Sequence, residues 1–205
     1  LPRDVPVAFV GTADTTAFQG HRMQWLGALK ALVPSAVIRC GVYGPGMSDI
    51  VGMALIGFNV AVMRDLNMRA FEVMAAGAFL FTSPMDGLSD LGFVEGEDYL
   101  TWGDRASMEA GLGWLLAEPE RTLEKAMAAR EKVLAGHTYR HRIREMLGSY
   151  FDQVRARGGD FDIRELSQGS QPQQAGAKQP KGQEQGEDWL GLTPSNFNSR
   201  LRAMV

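Results

Sequence analysis

RDLNMRAFEVMAAGAFLFTSP, residues 64–84, passes from a polar loop through a short helix to a glycine and then directly into an apolar strand. The pattern predicts a helix over 68–76, with Gly77 beyond its end in the left-handed role that glycine fills best. An apolar run, 78–83, follows as a buried strand. A helix handed to a buried strand by one glycine is half of a βαβ unit, the building block of a parallel sheet.

Working outward, the same alternation recurs. VPVAFVG (5–11), VIRCGVYG (37–44), ALIGFNVAVM (54–63) and DYLTW (98–102) read as strands. Trp25, Leu29, Leu32 and Val33 recur at helical spacing between His21 and Val33, where Pro34 closes the helix, and a short helix is expected over 47–53. Three further helices follow. Asp104 is placed to cap the first, which carries Met108, Leu112, Leu115 and Leu116. Pro119 opens the second, and Gly136 ends it at C′. Tyr139, Ile143, Met146, Leu147, Tyr150, Phe151 and Val154 line one face of the third. The fold class is α/β: a Rossmann-like parallel sheet flanked by helices, then C-terminal helices and a disordered tail.

At 205 residues and 45% hydrophobic content the chain can bury a full core in about one domain. A net charge of −3 gives no basic field for nucleic acid, and no run approaches the ~18–20 apolar residues of a membrane span. The single cysteine, Cys40, excludes an internal disulfide and fits a reducing cytoplasm. The chain opens LPRDVPVAFVG, without an initiator methionine, and enters a strand at once. Further chain is therefore expected upstream. Residues 1–165 are expected to form the nucleotide-sugar-binding domain reasoned below. The Gln/Gly/Pro-rich segment 166–188, which from 167 to 187 lacks apolar side chains larger than alanine, reads as a disordered linker. Residues 189–205 regain hydrophobics: Thr193 and Pro194 suit a helix start, and Phe197, Leu201 and Val205 share a stripe, as in a docking peptide for a protein partner or, equally, an inert tail.

In open α/β sheets ligands bind beyond the carboxyl ends of the strands, where the loop 63–68 falls. A helix beginning there offers unpaired N–H groups and a positive dipole end to phosphate. Arg64 and Arg69 flank that start, and a guanidinium can grip phosphate through two parallel hydrogen bonds. Glu72, one turn in, can accept from two neighbouring hydroxyls such as a ribose diol. Together these groups suit a nucleotide diphosphate sugar. They equally suit a structural reading, because the dipole alone favours a glutamate early in a helix and glycine is the commonest helix ending.

NMRAFEVMAAGAFLFTSP, GFVEGEDYLTWGD and REKVLAGHTYRHRIREML, in that order, resemble the C-terminal domain of group 1 glycosyltransferases. More narrowly they resemble the CgeB-like, spore-maturation-type branch, which is bacterial. The likeness spans about residues 5–150. It rests on Asn59, on Arg69, Phe71, Glu72, Ala75 and Gly77, on His137, Thr138, Tyr139 and Arg142, and on FVG at 9–11 with a following Arg22. The resemblance implies the C-terminal half of a GT-B fold, whose missing N-terminal domain would hold the acceptor. It implies a nucleotide sugar as donor and no metal or other cofactor. It also implies that Glu72 holds the ribose, that Arg69 and the helix start face the phosphates, and that Asn59 and Asn67 line the donor side. Gly11, Arg22 and Arg64 join the expected substrate-binding set, while no catalytic residue is assigned. Arg64 stands where many group 1 enzymes carry a second glutamate, and Thr12 where many carry a basic residue.

His137 and His141 have the spacing of paired metal ligands without a third partner, and His137 reads as a structural residue at a helix start. Asp86 and Asp90 read as solvated loop acids that lie within reach of the cleft. Two competing functions share these residues. One is a degenerate transferase acting as a scaffold through 189–205; the other is a GT-B-like epimerase using the same donor pocket.

Overall fold

The computed structural model describes residues 3–12, 20–61 and 63–157. The expected linker at 166–188 and terminal segment at 189–205 lie outside them. The described residues fall in one compact unit, Leu1–Gly159. Its elements run β1 (Val5–Gly11), α1 (Gly20–Leu32), β2 (Val37–Cys40), α2 (Pro45–Gly52), β3 (Ala54–Asn59), α3 (Met68–Ala75), β4 (Phe79–Thr82), β5 (Tyr99–Thr101), α4 (Arg105–Ala117), α5 (Pro119–Gly136) and α6 (Tyr139–Ala156), with a 3-10 turn at Ser89–Leu91. The strands pair in parallel throughout, in the order β2-β1-β3-β4-β5. This is the Rossmann-like α/β sheet expected from the sequence.

Both faces of the sheet are covered, which is why β3 and β4 are apolar along nearly their whole length. One hydrophobic cluster joins Phe9, Phe58 and Phe81 to Leu29 of α1 and to Met108 and Leu112 of α4. The other joins Val10 and Leu80 to α2, to Val73 and Met74 of α3 and to Val133 of α5. Asp104 caps α4 as expected: its carboxylate accepts from Ser107 N–H at 2.7 Å, and Ser107 Oγ accepts from Asp104 N–H at 3.0 Å.

Several expected boundaries move for one reason: a parallel strand keeps its ladder only as far as its neighbours run. β2 was expected to reach 44 and stops at Cys40, opposite Gly11, the last residue of β1. β3 was expected to reach 63 and stops at Asn59, opposite Thr82, the last residue of β4. Beyond it Met63 and Arg64 adopt left-handed backbone, with φ of 54° and 61°. Gly136 is not the C′ glycine; it stays inside α5, and His137 forms the cap. The apolar stripe of α6 forms a helix as expected, but α6 has no buried residue: Ile143, Met146, Leu147 and Tyr150 are all exposed.

α3 is the most tightly specified helix. Asn67 caps its start by accepting Ala70 N–H at 3.2 Å. Its end closes through Gly77 N–H to Met74 C=O (2.8 Å) and Ala78 N–H to Val73 C=O (3.2 Å), with Gly77 at φ 76°. Two arginines satisfy its last carbonyls: Arg3 donates to Ala76 at 3.1 Å and Arg130 to Ala75 at 3.0 Å. Underneath, Val73 lies against the bare backbone of Gly57, where a Cβ would fall 2.3 Å from Val73 Cγ1. Gly57→Ala is therefore expected to destabilise the domain by about 1–3 kcal/mol in urea unfolding. Adding Val73→Ala should recover part of that loss; a Gly57→Ala variant as stable as the parent would show that α3 does not depend on this contact.

Candidate functional site

β1 connects outward to β2, and the chain then crosses back to β3 and continues outward through β4 and β5. The direction of winding reverses between β1 and β3, and ligands of doubly wound sheets bind at the carboxyl ends of the strands flanking such a reversal. Gly11 ends β1 there and Asn59 ends β3. Arg22 of α1 reaches the same place, donating to Thr12 C=O at 2.5 Å and to Val60 C=O at 3.0 Å. Three residues expected from the sequence thus converge at the reversal. Two of them serve the framework, since Asn59 is buried and donates from Nδ2 to Thr82 Oγ1 at 3.0 Å, across to β4.

The loop after β3 is tied to the loop after β4. Ala61 N–H donates to Ser83 Oγ at 2.8 Å, and the Arg64 guanidinium holds Asp86 through Nε (3.2 Å to each carboxylate oxygen) and Nη2 (2.6 Å). Each charge stabilises the other, so Arg64 is pushed above its ordinary pKa and Asp86 below the carboxylate range, first through the hydrogen bond. The pair stands in solvent, with side chains 60% and 70% exposed. Adjacent left-handed residues such as Met63 and Arg64 are uncommon outside functional loops. Arg64 is thus a clasp across two strand ends, and Asp86, read from sequence as a loop acid, is its partner.

Asn67, Arg69 and Glu72 all lie on the first turns of α3. Arg69 Nη1 sits 3.1 Å from Glu72 Oε2 and also meets the Met47 thioether of α2. Glu72 opens onto a cavity of about 480 Å³, within the size range of small-molecule sites. The lining comes from the α3 side (Met68, Phe71, Glu72, Ala75), from Leu66 and Leu91 of the strand-end loops, and from Val133, His137, Thr138, Tyr139 and Arg142 where α5 turns into α6. Asn59, Arg22, Gly11, Arg64, Asn67 and Arg69 are not among the lining residues.

The α5–α6 junction closes over α3 by ring packing. His137 lies near-parallel to Phe71 (6.1 Å, 18°) and 5.0 Å from Phe93. Arg142 Nη2 can only donate, so His137 Nδ1 accepts from it, at 2.6 Å. Burial, reinforced by the Arg142 charge, lowers the His137 pKa and favours the neutral ring. Tyr139 donates to Met68 Sδ at 2.8 Å, and burial with the nearby Glu72 charge raises its pKa. From sequence His137 reads as a structural residue at a helix start, Tyr139 as part of the apolar stripe of α6, and both as members of the HTY–R segment. Their arrival beside Glu72, some 65 residues earlier, is a product of the tertiary fold. Among the described residues no three His, Cys, Asp or Glu side chains converge to hold a metal ion, and no helix is long and apolar enough to cross a membrane.

Residues 8–148 match the family model described as glycosyl transferase-like. The chain belongs to that family. The fold of this glycosyl transferase-like domain recurs in two solved structures. Sucrose-phosphate synthase of Thermosynechococcus elongatus superposes with a TM-score of 0.55 at 18% identity, over 76% of this chain and 47% of that one. The C-terminal domain of a group 1 family glycosyl transferase of Francisella tularensis superposes at 0.50 and 9% identity, over 68% and 89%. The domain thus spans about half the length of the synthase, and its sheet is one half of the GT-B fold expected from sequence. No curated protein matches it by sequence.

The neutral His137 has a consequence for stability. As pH falls through the ordinary histidine range, the unfolded chain takes up a proton that the folded one refuses, so stability falls on the acid side and is unaffected above it. His137→Gln should show a smaller loss between pH 7.5 and 5 in urea titrations. An unchanged loss would mean that His137 is not the group responsible.

Proposed function

We propose that this chain is the donor-binding half of a glycosyltransferase of the CgeB-like branch, taking a nucleotide diphosphate sugar. The observation that carries the reading is Glu72. Its carboxylate stands on the rim of the cavity, one turn from the start of α3, in a member of the glycosyl transferase-like family. One carboxylate oxygen is steadied by Arg69, and a carboxylate can accept from both hydroxyls of a ribose. The diphosphate then lies toward the first turn of α3, where N–H groups point outward and the dipole favours anions.

In such a transfer a nucleophilic atom of the acceptor forms a bond to the anomeric carbon and gives up its proton to a base. The bond between the anomeric carbon and the diphosphate oxygen breaks and the departing diphosphate takes the electron pair. Positive charge already fixed in place stabilises it without reorganisation, and Arg69 with the α3 start supplies that charge without a metal ion. The acceptor and any general base come from a second, N-terminal domain of the same protein, in the cytoplasm. Asn59, Arg22 and Gly11 act here by shaping the strand ends against which the sugar lies, and Arg64 by holding two loops together.

Glu72→Ala is expected to weaken binding of the preferred nucleoside diphosphate by about 10- to 100-fold, the cost of losing hydrogen bonds to a charged group, and to leave the cooperative melt in place. Thermal shift against UDP, GDP, TDP and CMP reads both at once. A variant that loses its melt while keeping its ligand affinity would make Glu72 a structural residue and end the proposal.

A further inference from the structure

We propose that α6 is an interfacial helix, which lies along the headgroups of an anionic lipid bilayer with its apolar stripe turned into the acyl boundary. The first turn of the helix is tied to the domain, through Tyr139 to Met68 and Arg142 to His137. From Ile143 to Tyr150 every residue is exposed. The large apolar side chains among them, Ile143, Met146, Leu147 and Tyr150, are 43–63% exposed. A continuous stripe of this kind leaves in water the apolar surface that a partner would cover.

The stripe alone names no partner; the charges set around it do. With about 100° of turn per residue, Tyr139, Ile143, Met146, Leu147, Tyr150 and Val154 fall within a sector of about 100°. Arg140, Arg144 and Arg155 follow one edge of that sector and Arg142 the other, while Glu145 and Asp152 lie on the opposite side of the helix. Four arginines against two acids make α6 basic in a chain of net charge −3. Among the described residues Arg140, Arg144 and Arg155 enter no ion pair. Guanidinium groups on both flanks of an apolar stripe, with the acids turned away, suit a surface that is apolar below and negative above. The stripe enters the acyl boundary and the arginines reach out to lipid phosphates. A second copy of the chain fits the same face worse. In an antiparallel pair the edge with three arginines runs along the same edge of the other helix, and like charges oppose each other there. No described helix is long and apolar enough to cross a membrane, so the contact is with the surface.

The test is co-sedimentation of the 205-residue chain with vesicles of equal parts phosphatidylglycerol and phosphatidylcholine, and with vesicles of phosphatidylcholine alone. The expected result is binding to the anionic vesicles that is about tenfold or more tighter than to the neutral ones and weakens as sodium chloride is raised. Arg140→Gln with Arg144→Gln, and separately Ile143→Ser with Leu147→Ser, should each weaken it by about tenfold or more. All four side chains are exposed, so both double variants should keep the cooperative melt of the parent. Equal binding to the two kinds of vesicle, or binding that either double variant retains, would overturn the proposal. So would a chain that stays in the supernatant with both. Light scattering that then shows a dimer, broken by Ile143→Ser with Leu147→Ser, would give the face to a second copy. Binding that is lost when the proposed N-terminal domain is joined to the chain would give it to that domain and likewise overturn the proposal.

Discussion

Helix α3 lies flush on the sheet because β3 carries no side chain at Gly57, where Val73 takes the space. Everything around the site inherits its position from that contact. With α3 lowered onto β3, its last carbonyls come within reach of Arg3 and Arg130. Those two guanidinium groups sit close enough that burial and mutual repulsion lower the pKa of Arg3. The domain tolerates that repulsion because the carbonyls of a helix end otherwise remain without partners. The other end of α3 is thereby aimed past the strand ends, with Asn67 closing its first turn and Glu72 left facing the cavity.

The polar residues at the carboxyl edge divide into two sets. Asn59, Thr82, Ser83, Arg64 and Asp86 bond to one another and to loop backbone, and they bind the ends of β3 and β4 into one rigid rim. Glu72, with Arg69 beside it, faces open volume instead. A rigid rim under an open carboxylate is what a binding site requires, because a side chain held before the ligand arrives loses less freedom when it binds. The ring packing of Phe71, His137 and Phe93 plays the same part on the far wall, where α5 turns into α6.

Much of this was legible in the sequence, and the misses have physical causes. β1 runs over the expected residues because β3 pairs with its first half, Val5–Ala8, and β2 with its second, Ala8–Gly11, whereas β2 and β3 end early where their neighbours end. Composition reports apolar residues and is silent on ladders. Asn59, Asn67, Arg22 and Arg64 do lie at or beside the carboxyl ends of the strands, where the sequence pattern puts them. The pattern of residue types does not distinguish an amide that serves a ligand from one that serves the neighbouring strand, and only the geometry separates them. The far wall of the cavity was hidden because His137 and Tyr139 reach Phe71 and Met68 by long-range packing. The stripe on α6 identified a helix correctly and gave no information on what covers it.

Arg22 changes the character of the crevice between β1 and β3. The carboxyl ends of parallel strands present carbonyl oxygens, whose partial negative charge repels an approaching anion. By drawing the oxygens of Thr12 and Val60 onto one guanidinium, Arg22 turns two of these repulsive dipoles into the inner shell of a cation. The floor of the crevice is therefore less negative than two open carbonyls would leave it, and the loop after each of the two strands is tied to α1.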